Sequence, residues 1–69
     1  MLINELSKKT GFSRDTIRFY EQEGIIDLNH FKRLNNRYKN YSEAAVNRLK
    51  VVSNLKDFGF SLKEIVELI

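Results

Sequence analysis

The stretch that decides the fold is GFSRDTIRFYEQEG, residues 11–24. Ser13 follows Gly11 as an N-cap, and Gly24 ends the segment as a left-handed stop. When the residues between are turned through about 100° each, they separate into two arcs. The apolar arc holds Thr16, Ile17, Phe19 and Tyr20, and the opposite arc holds Arg14, Asp15, Arg18 and Gln22. The spacing predicts a helix from Ser13 to Glu23 that packs its apolar arc on a core and leaves its arginines outside.

A shorter helix over about residues 4–10 is predicted before this one, from its apolar spacing and from Gly11 as its stop. Only Gly11 and Phe12 separate the two helices. Two helices joined by a short turn with glycine make a helix-turn-helix, and the second helix holds the recognition position.

Residues 28–41 read LNHFKRLNNRYKNY and carry four lysines and arginines and no acid. The net charge of the whole chain is +3, so its excess positive charge lies in this segment. Tyrosine alternates with basic residues in Arg37-Tyr38-Lys39, and Asn35 and Asn36 suit a tight turn. We predict a two-stranded hairpin with its tip near Asn35 and Asn36 and a return strand over 37–41. Its charge favours a polyanionic partner. A solvated basic loop is the alternative.

Two further helices complete the predicted fold. Ser42 caps a third helix that Gly59 ends, and the S-x-x-E capping box of Ser61 and Glu64 starts a fourth helix at residue 62. We therefore predict one mainly α domain over 1–69, a winged helix-turn-helix. Residues 1–27 form the helix-turn-helix, 28–41 the wing, and 42–69 the two supporting helices.

The sequence lacks the motifs that are typical of several classes of function. The chain has no cysteine and a single histidine, His30, which we interpret as a surface polar residue. No metal set, cofactor motif or catalytic motif is present, so we expect neither an enzyme nor a cofactor. No apolar run is long enough to span a bilayer, and no signal peptide is present, so we expect a cytoplasmic protein.

The two outward arginines are the candidate contacts to DNA. A guanidinium is shaped to grip guanine O6 and N7, or a phosphate, with two parallel hydrogen bonds. We expect Arg18 to read a base, and we expect Lys39 in the wing to meet a phosphate. The alternative is a solvated helix face on which the arginines form local ion pairs, for example with Glu21.

Two strings, GFSRDTIRFYEQEGII and NNRYKNYSEAAVNRLKVVSNLKDFGFSLKEI, resemble the N-terminal DNA-binding domain of the MerR family of bacterial transcription regulators. The resemblance implies a winged helix-turn-helix in which Arg18 and Tyr38 contact double-stranded DNA. It also implies action with RNA polymerase at promoters, and a homodimer if a dimerisation helix follows residue 69. The sequence departs from the family pattern at Phe19, Arg37 and Lys39, and it lacks the usual proline after Ile26.

Residues and resemblance together predict a set of DNA contacts in the recognition helix and the wing. The set is Ser13, Arg14, Asp15, Thr16, Arg18, Phe19, Tyr20, Gln22, Lys32, Arg33, Arg37, Tyr38 and Lys39. Two other functions stay open at this point. One is a small excisionase-like or phage winged-helix DNA-binding protein, and the other is a protein-interaction module that docks a partner through Leu68 and Ile69.

Overall fold

Four helices and a two-stranded hairpin follow one another in a computed structural model that describes residues 1–35 and 38–69. The order is α1 (Ile3–Thr10), α2 (Arg14–Gln22), β1 (Phe31–Arg33), β2 (Lys39–Tyr41), α3 (Glu43–Asp57) and α4 (Leu62–Leu68). This is the winged helix-turn-helix predicted from the sequence. Among the described residues, no helix is long and apolar enough to cross a membrane.

The turn between α1 and α2 forms as the sequence predicts. Gly11 has a φ of 79°, a left-handed conformation in which a residue with a Cβ is strained. The hydroxyl of Ser7 donates to the carbonyl of Phe12 at 2.6 Å, which holds the turn against α1. Ser13 caps α2, since its hydroxyl oxygen accepts from the amide of Thr16 at 3.1 Å. The predicted helix boundaries are correct to within one residue.

The core lies between the helix-turn-helix and the long helix α3. Its fully buried side chains come from every helix: Leu6, Ile17, Ala45, Leu49, Val52 and Ile65. The loop after α2 adds Ile25 and Ile26, and the hairpin adds Phe31 and Tyr41. Helix α2 buries Ile17 and Tyr20 in this core, and its opposite face, with Arg14, Asp15, Arg18 and Gln22, is exposed.

Phe19 corrects the prediction that both aromatics of α2 anchor the helix in the core. Tyr20 is 3% exposed, but Phe19 is 42% exposed. The reason is angular: at about 100° per residue, Phe19 lies at the edge of the apolar arc, next to Asp15 on the outward one.

The wing is a short antiparallel ladder that pairs Phe31 with Tyr41, Lys32 with Asn40, and Arg33 with Lys39. The outer side of β2 is also paired, because the amide of Tyr41 donates to the carbonyl of Met1 at 2.7 Å. The predicted return strand is shorter than expected, beginning at Lys39 within the described residues. The predicted tip falls partly on Asn36, which lies outside the described residues.

The two supporting helices begin at the predicted serines, but the serines act differently. Ser61 and Glu64 form the complete capping box, each side chain bonding the other's backbone amide. Ser42 is at the N-cap position of α3, yet its side chain does not cap the helix. Its hydroxyl instead donates to the carbonyl of His30 at 3.1 Å and so ties the start of α3 to the wing.

His30 is buried, with 5% of its surface exposed, so its interpretation as a surface residue is wrong. The amide of Asp27 donates to Nδ1 at 2.9 Å, and Nε of Arg48 lies 3.3 Å from Nε2. Arg48 is 18 residues away, on α3. The imidazole therefore joins the loop after α2 to the long helix, which sets the direction in which the chain enters the wing.

Candidate nucleic-acid interface

A cleft of about 310 Å³ lies where α1, α2 and the wing meet. The start of α1, two arginines of α2, strand β2 and Tyr38, the residue before β2, form its walls. The lining residues are Leu2, Ile3, Asn4, Arg14, Arg18, Tyr38, Lys39 and Tyr41. The structure thus brings together four of the predicted DNA contacts, Arg14, Arg18, Tyr38 and Lys39, from two separate segments of the chain.

The two arginines of this cleft are exposed, and each has a weak intramolecular partner. Arg14 donates from Nη1 to Oδ1 of Asn4 at 3.2 Å. Arg18 lies 3.4 Å from the carboxylate of Asp15, and the two side chains are 58% and 97% exposed. Exposed pairs of this kind contribute little to stability, so both guanidinium groups can leave these partners at low cost. The local ion pair thus forms with Asp15 and not with Glu21.

The wing presents further polar and charged side chains to solvent. Lys32 and Arg33 are exposed on β1, and neither forms an ion pair with another residue in the described part of the chain. Tyr38 is half exposed. Positive charge and hydrogen-bond donors of this kind suit phosphate oxygens. Arg37, also predicted to contact DNA, lies outside the described residues.

Lys39 differs from the other cations because it is paired and partly buried. Its ammonium binds Oε2 of Glu21, and the two side chains are 25% and 12% exposed. The same ammonium lies 4.9 Å from the centre of the Phe31 ring. The hydroxyl of Tyr41 donates to the other carboxylate oxygen of Glu21. Burial, followed by the bond to Glu21, raises the pKa of Tyr41 well above its ordinary value.

The remaining predicted contacts divide by exposure. Ser13 and Thr16 engage each other at the helix start, since the Ser13 hydroxyl also donates to the Thr16 hydroxyl at 2.8 Å. Gln22 is exposed within the outward arc, and Phe19 is exposed at the neighbouring edge of the apolar arc. Tyr20 is buried and packs edge-on against Phe12 with ring centroids 5.5 Å apart, so its ring belongs to the core and not to the outer surface.

Sequence reasoning missed the contacts that Asn4 and Glu21 make in this region. Asn4 lies at the start of α1 and is brought to Arg14 only by the turn of the helix-turn-helix. Glu21 is joined to partners 18 and 20 residues further along the chain. A helical wheel places Glu21 beside Ile17, between the buried and outward arcs, and that position was the available signal.

The described residues contain no group of three or more histidine, cysteine, aspartate or glutamate side chains that could hold a metal ion. The cleft presents hydrogen-bonding and positively charged groups: guanidinium, ammonium, amide and phenol. That combination suits a phosphate backbone and base edges.

Comparison with known proteins finds one family along the whole chain. The family described as MerR HTH family regulatory protein matches residues 1–69. The chain is similar to the mercuric resistance operon regulatory protein of Bacillus cereus, with 37% identity over 67 residues, which are 97% of this chain and 49% of the relative. It is 35% identical over 69 residues to the HTH-type transcriptional regulator CueR of Salmonella typhimurium, covering 100% of this chain and 49% of the relative.

A third relative is the HTH-type transcriptional regulator ZntR of Escherichia coli, 36% identical over 67 residues, which cover 97% of this chain and 46% of the relative. The chain therefore spans about half the length of each of these relatives. The similarity concerns the part of those proteins that corresponds to the winged helix-turn-helix described above.

Proposed function

Because the chain belongs to the MerR family of helix-turn-helix regulators, we propose that it binds double-stranded DNA in a sequence-dependent way and serves in transcription regulation. The observation that carries the proposal is the cleft in which Arg14 and Arg18 of α2 meet Tyr38 of the wing. A helix with exposed arginines beside a basic hairpin is the geometry of a winged reader of DNA.

In the proposed complex, α2 enters the major groove, which is about 12 Å wide and admits one helix. Arg18 projects from the outward arc toward base edges, with Asp15 as the partner that it leaves on binding. Arg14 reaches a base or the adjacent phosphate from the first turn of α2, after release from Asn4. Both arginines thus keep a bonded partner in the unbound state and lose little when they change it.

The wing is proposed to hold phosphates that flank this groove. Lys32 and Arg33 supply charge, and the Tyr38 hydroxyl supplies a hydrogen bond. Such contacts fix the position of the domain on the duplex and carry no sequence information directly. Sequence discrimination then depends on the arginines of α2.

The family and the relatives are transcription regulators, and we propose no catalytic activity for this chain. By resemblance to the family, we propose that the regulator binds an inverted repeat as a dimer and acts with RNA polymerase at the promoter. One domain alone occupies one half-site and is expected to bind weakly. Leu68 and Ile69 are exposed, but a protein-interaction role for them would not explain the exposed arginines of the cleft, so we do not propose it.

The proposal is tested by titrating the 69-residue chain into a pool of random duplexes at about 50 mM salt, where counterion release still favours association, followed by rounds of selection. We expect binding and enrichment of a common motif. The double variant R14Q/R18Q should lose the enrichment, while K63Q, which removes an exposed cation on α4, should keep it. An absence of binding at this salt, or equal enrichment by R14Q/R18Q, would overturn the proposal.

A further inference from the structure

Glu21 is a mostly shielded acid in a domain that we propose binds a polyanion, and an acid is the least expected group at such an interface. Its side chain is 12% exposed, and both carboxylate oxygens are engaged. An acid at a DNA-facing surface repels phosphate, so a role in direct contact would weaken binding. Its partners indicate a different role.

The two partners of Glu21 both belong to strand β2 of the wing. Lys39 binds one carboxylate oxygen, and Tyr41 donates its hydroxyl to the other. Glu21 itself lies in the last turn of α2, where its carbonyl accepts from the amide of Gly24 at 3.1 Å. One side chain therefore links the recognition helix to the wing across 18 to 20 residues of chain.

The link is strong for a small domain because it is partly shielded from water. The Tyr41 side chain is 4% exposed and packs against Phe31 with ring centroids 5.7 Å apart. Burial and the carboxylate raise its pKa above the ordinary value of 10.0, so the hydroxyl keeps its proton into the alkaline range. Hydrogen bonds to a charged group in such a setting are stronger than neutral ones.

From these contacts we infer that Glu21 is a positioning residue: it fixes the wing relative to the recognition helix and neutralises Lys39, so that sequence discrimination depends on Glu21 although it does not touch DNA. The inference rests on the proposed function and deepens it. Phosphate contacts made by the wing set where α2 lies in the groove only if the two elements are rigidly joined. In this arrangement Lys39 does not contribute a phosphate contact, in contrast to the expectation from its charge alone.

The inference has a consequence that a merely structural role would not produce. Replacing Glu21 by glutamine releases the charge of Lys39 toward the phosphates. The logarithm of the binding constant then falls more steeply with the logarithm of salt concentration, by about 0.9 for one additional cation. Discrimination falls at the same time, because the wing no longer holds α2 in register.

The experiment compares variants on a duplex selected by the wild-type chain and on a scrambled duplex, each titrated between about 50 and 200 mM salt. E21Q is matched by E23Q, which removes an exposed acid two residues further along and raises the net charge equally. We expect E21Q to steepen the salt slope on scrambled DNA by about 0.9 relative to E23Q. We also expect it to lower the ratio of the two affinities by about fivefold, the factor contributed by one net hydrogen bond.

Two further variants complete the test. K39Q should leave the wild-type salt slope unchanged, and E21Q/K39Q should restore that slope. Y41F keeps the ring packing and removes only the hydroxyl bond, so it should lower discrimination without changing the slope; it carries the test if E21Q fails to fold.

Identical behaviour of E21Q and E23Q, or a slope that falls by about 0.9 in K39Q, would overturn the inference. Unchanged discrimination by Y41F would also overturn it. These outcomes concern the variants only, whereas failure of the wild-type chain to bind any duplex would overturn the proposed function itself.

Discussion

Replacing Arg18 by alanine separates binding from stability more cleanly than any other change in the cleft. The Arg18 side chain is 58% exposed, and its intramolecular partner within the described residues is Asp15, which is 97% exposed. An exposed pair of this kind contributes about 0–1 kcal/mol to the free energy of unfolding. The variant should therefore fold with a stability close to that of the wild type, and any large effect must lie in binding.

The expected effect on binding follows from the contact that a guanidinium makes with guanine. A bidentate pair contributes about 1–3 kcal/mol of discrimination, which corresponds to an affinity loss of about 5- to 150-fold on the selected duplex. On a scrambled duplex the loss should be small. Fluorescence anisotropy on both duplexes measures the two affinities, and urea denaturation measures the free energy of unfolding of each variant.

Two matched variants control for charge. Arg18→Lys keeps the charge but loses the planar fork, so it should lose most of the discrimination as well. Arg33→Ala removes an exposed wing cation and should weaken both duplexes alike. Equal losses on the two duplexes for Arg18→Ala would refute the base-reading assignment and make Arg18 a phosphate contact.

Three further predictions concern the fold that supports the interface. Leu49→Ala removes a side chain that is 0% exposed and should lower the free energy of unfolding by about 2–5 kcal/mol in urea denaturation, in contrast to a change near zero for Lys50→Ala on the exposed side of α3. Gly11→Ala should cost about 1–2 kcal/mol by the same assay through its φ of 79° alone, because a Cβ there meets no atom within 4 Å; a loss below about 0.3 kcal/mol would contradict this. The backbone and side chain of Ser61 lower the pKa of Glu64, so the resulting stability is present above the ordinary value of 4.5 and is lost as pH falls through the lowered pKa. The free energy of unfolding should therefore fall more steeply on acidification for the wild type than for Glu64→Gln, and parallel pH profiles would refute the capping box as a source of acid sensitivity.

The parts of the fold that could be predicted are those whose cause is local in sequence. The capping box of Ser61 and Glu64 is complete within four residues, and the glycine at position 11 supplies a backbone conformation that its neighbours cannot. The apolar spacing of α2 likewise identified Ile17 as core. These signals determine where helices begin, end and face, and they suffice for a winged helix-turn-helix.

The parts that could not be predicted depend on residues far apart in the chain. The sequence alone indicates a surface residue at His30, because its partner Arg48 comes close to the ring only in the folded chain. The sequence alone likewise indicates an exposed cation at Lys39, because Glu21 comes close to its ammonium only in the folded chain. The prediction that Phe19 is buried failed for a different reason. Phe19 lies at the boundary between the apolar and outward arcs, and the helical wheel alone does not decide whether such a residue is buried or exposed. The DNA-contact set remains a prediction, which the cleft supports for Arg14, Arg18 and Tyr38.

The measurement that tests the central claim most directly is a two-dimensional NMR map of backbone amide shifts as duplex DNA is added to the chain. We predict that the largest shifts fall in residues 13–22 of the recognition helix and in 28–41 of the wing, with those of α4 (Leu62–Leu68) unchanged. The shifts should diminish as salt is raised from about 50 to 200 mM, because counterion release weakens binding. Shifts confined to α4, or an unchanged spectrum at about 50 mM salt, would contradict the assignment of this surface to DNA.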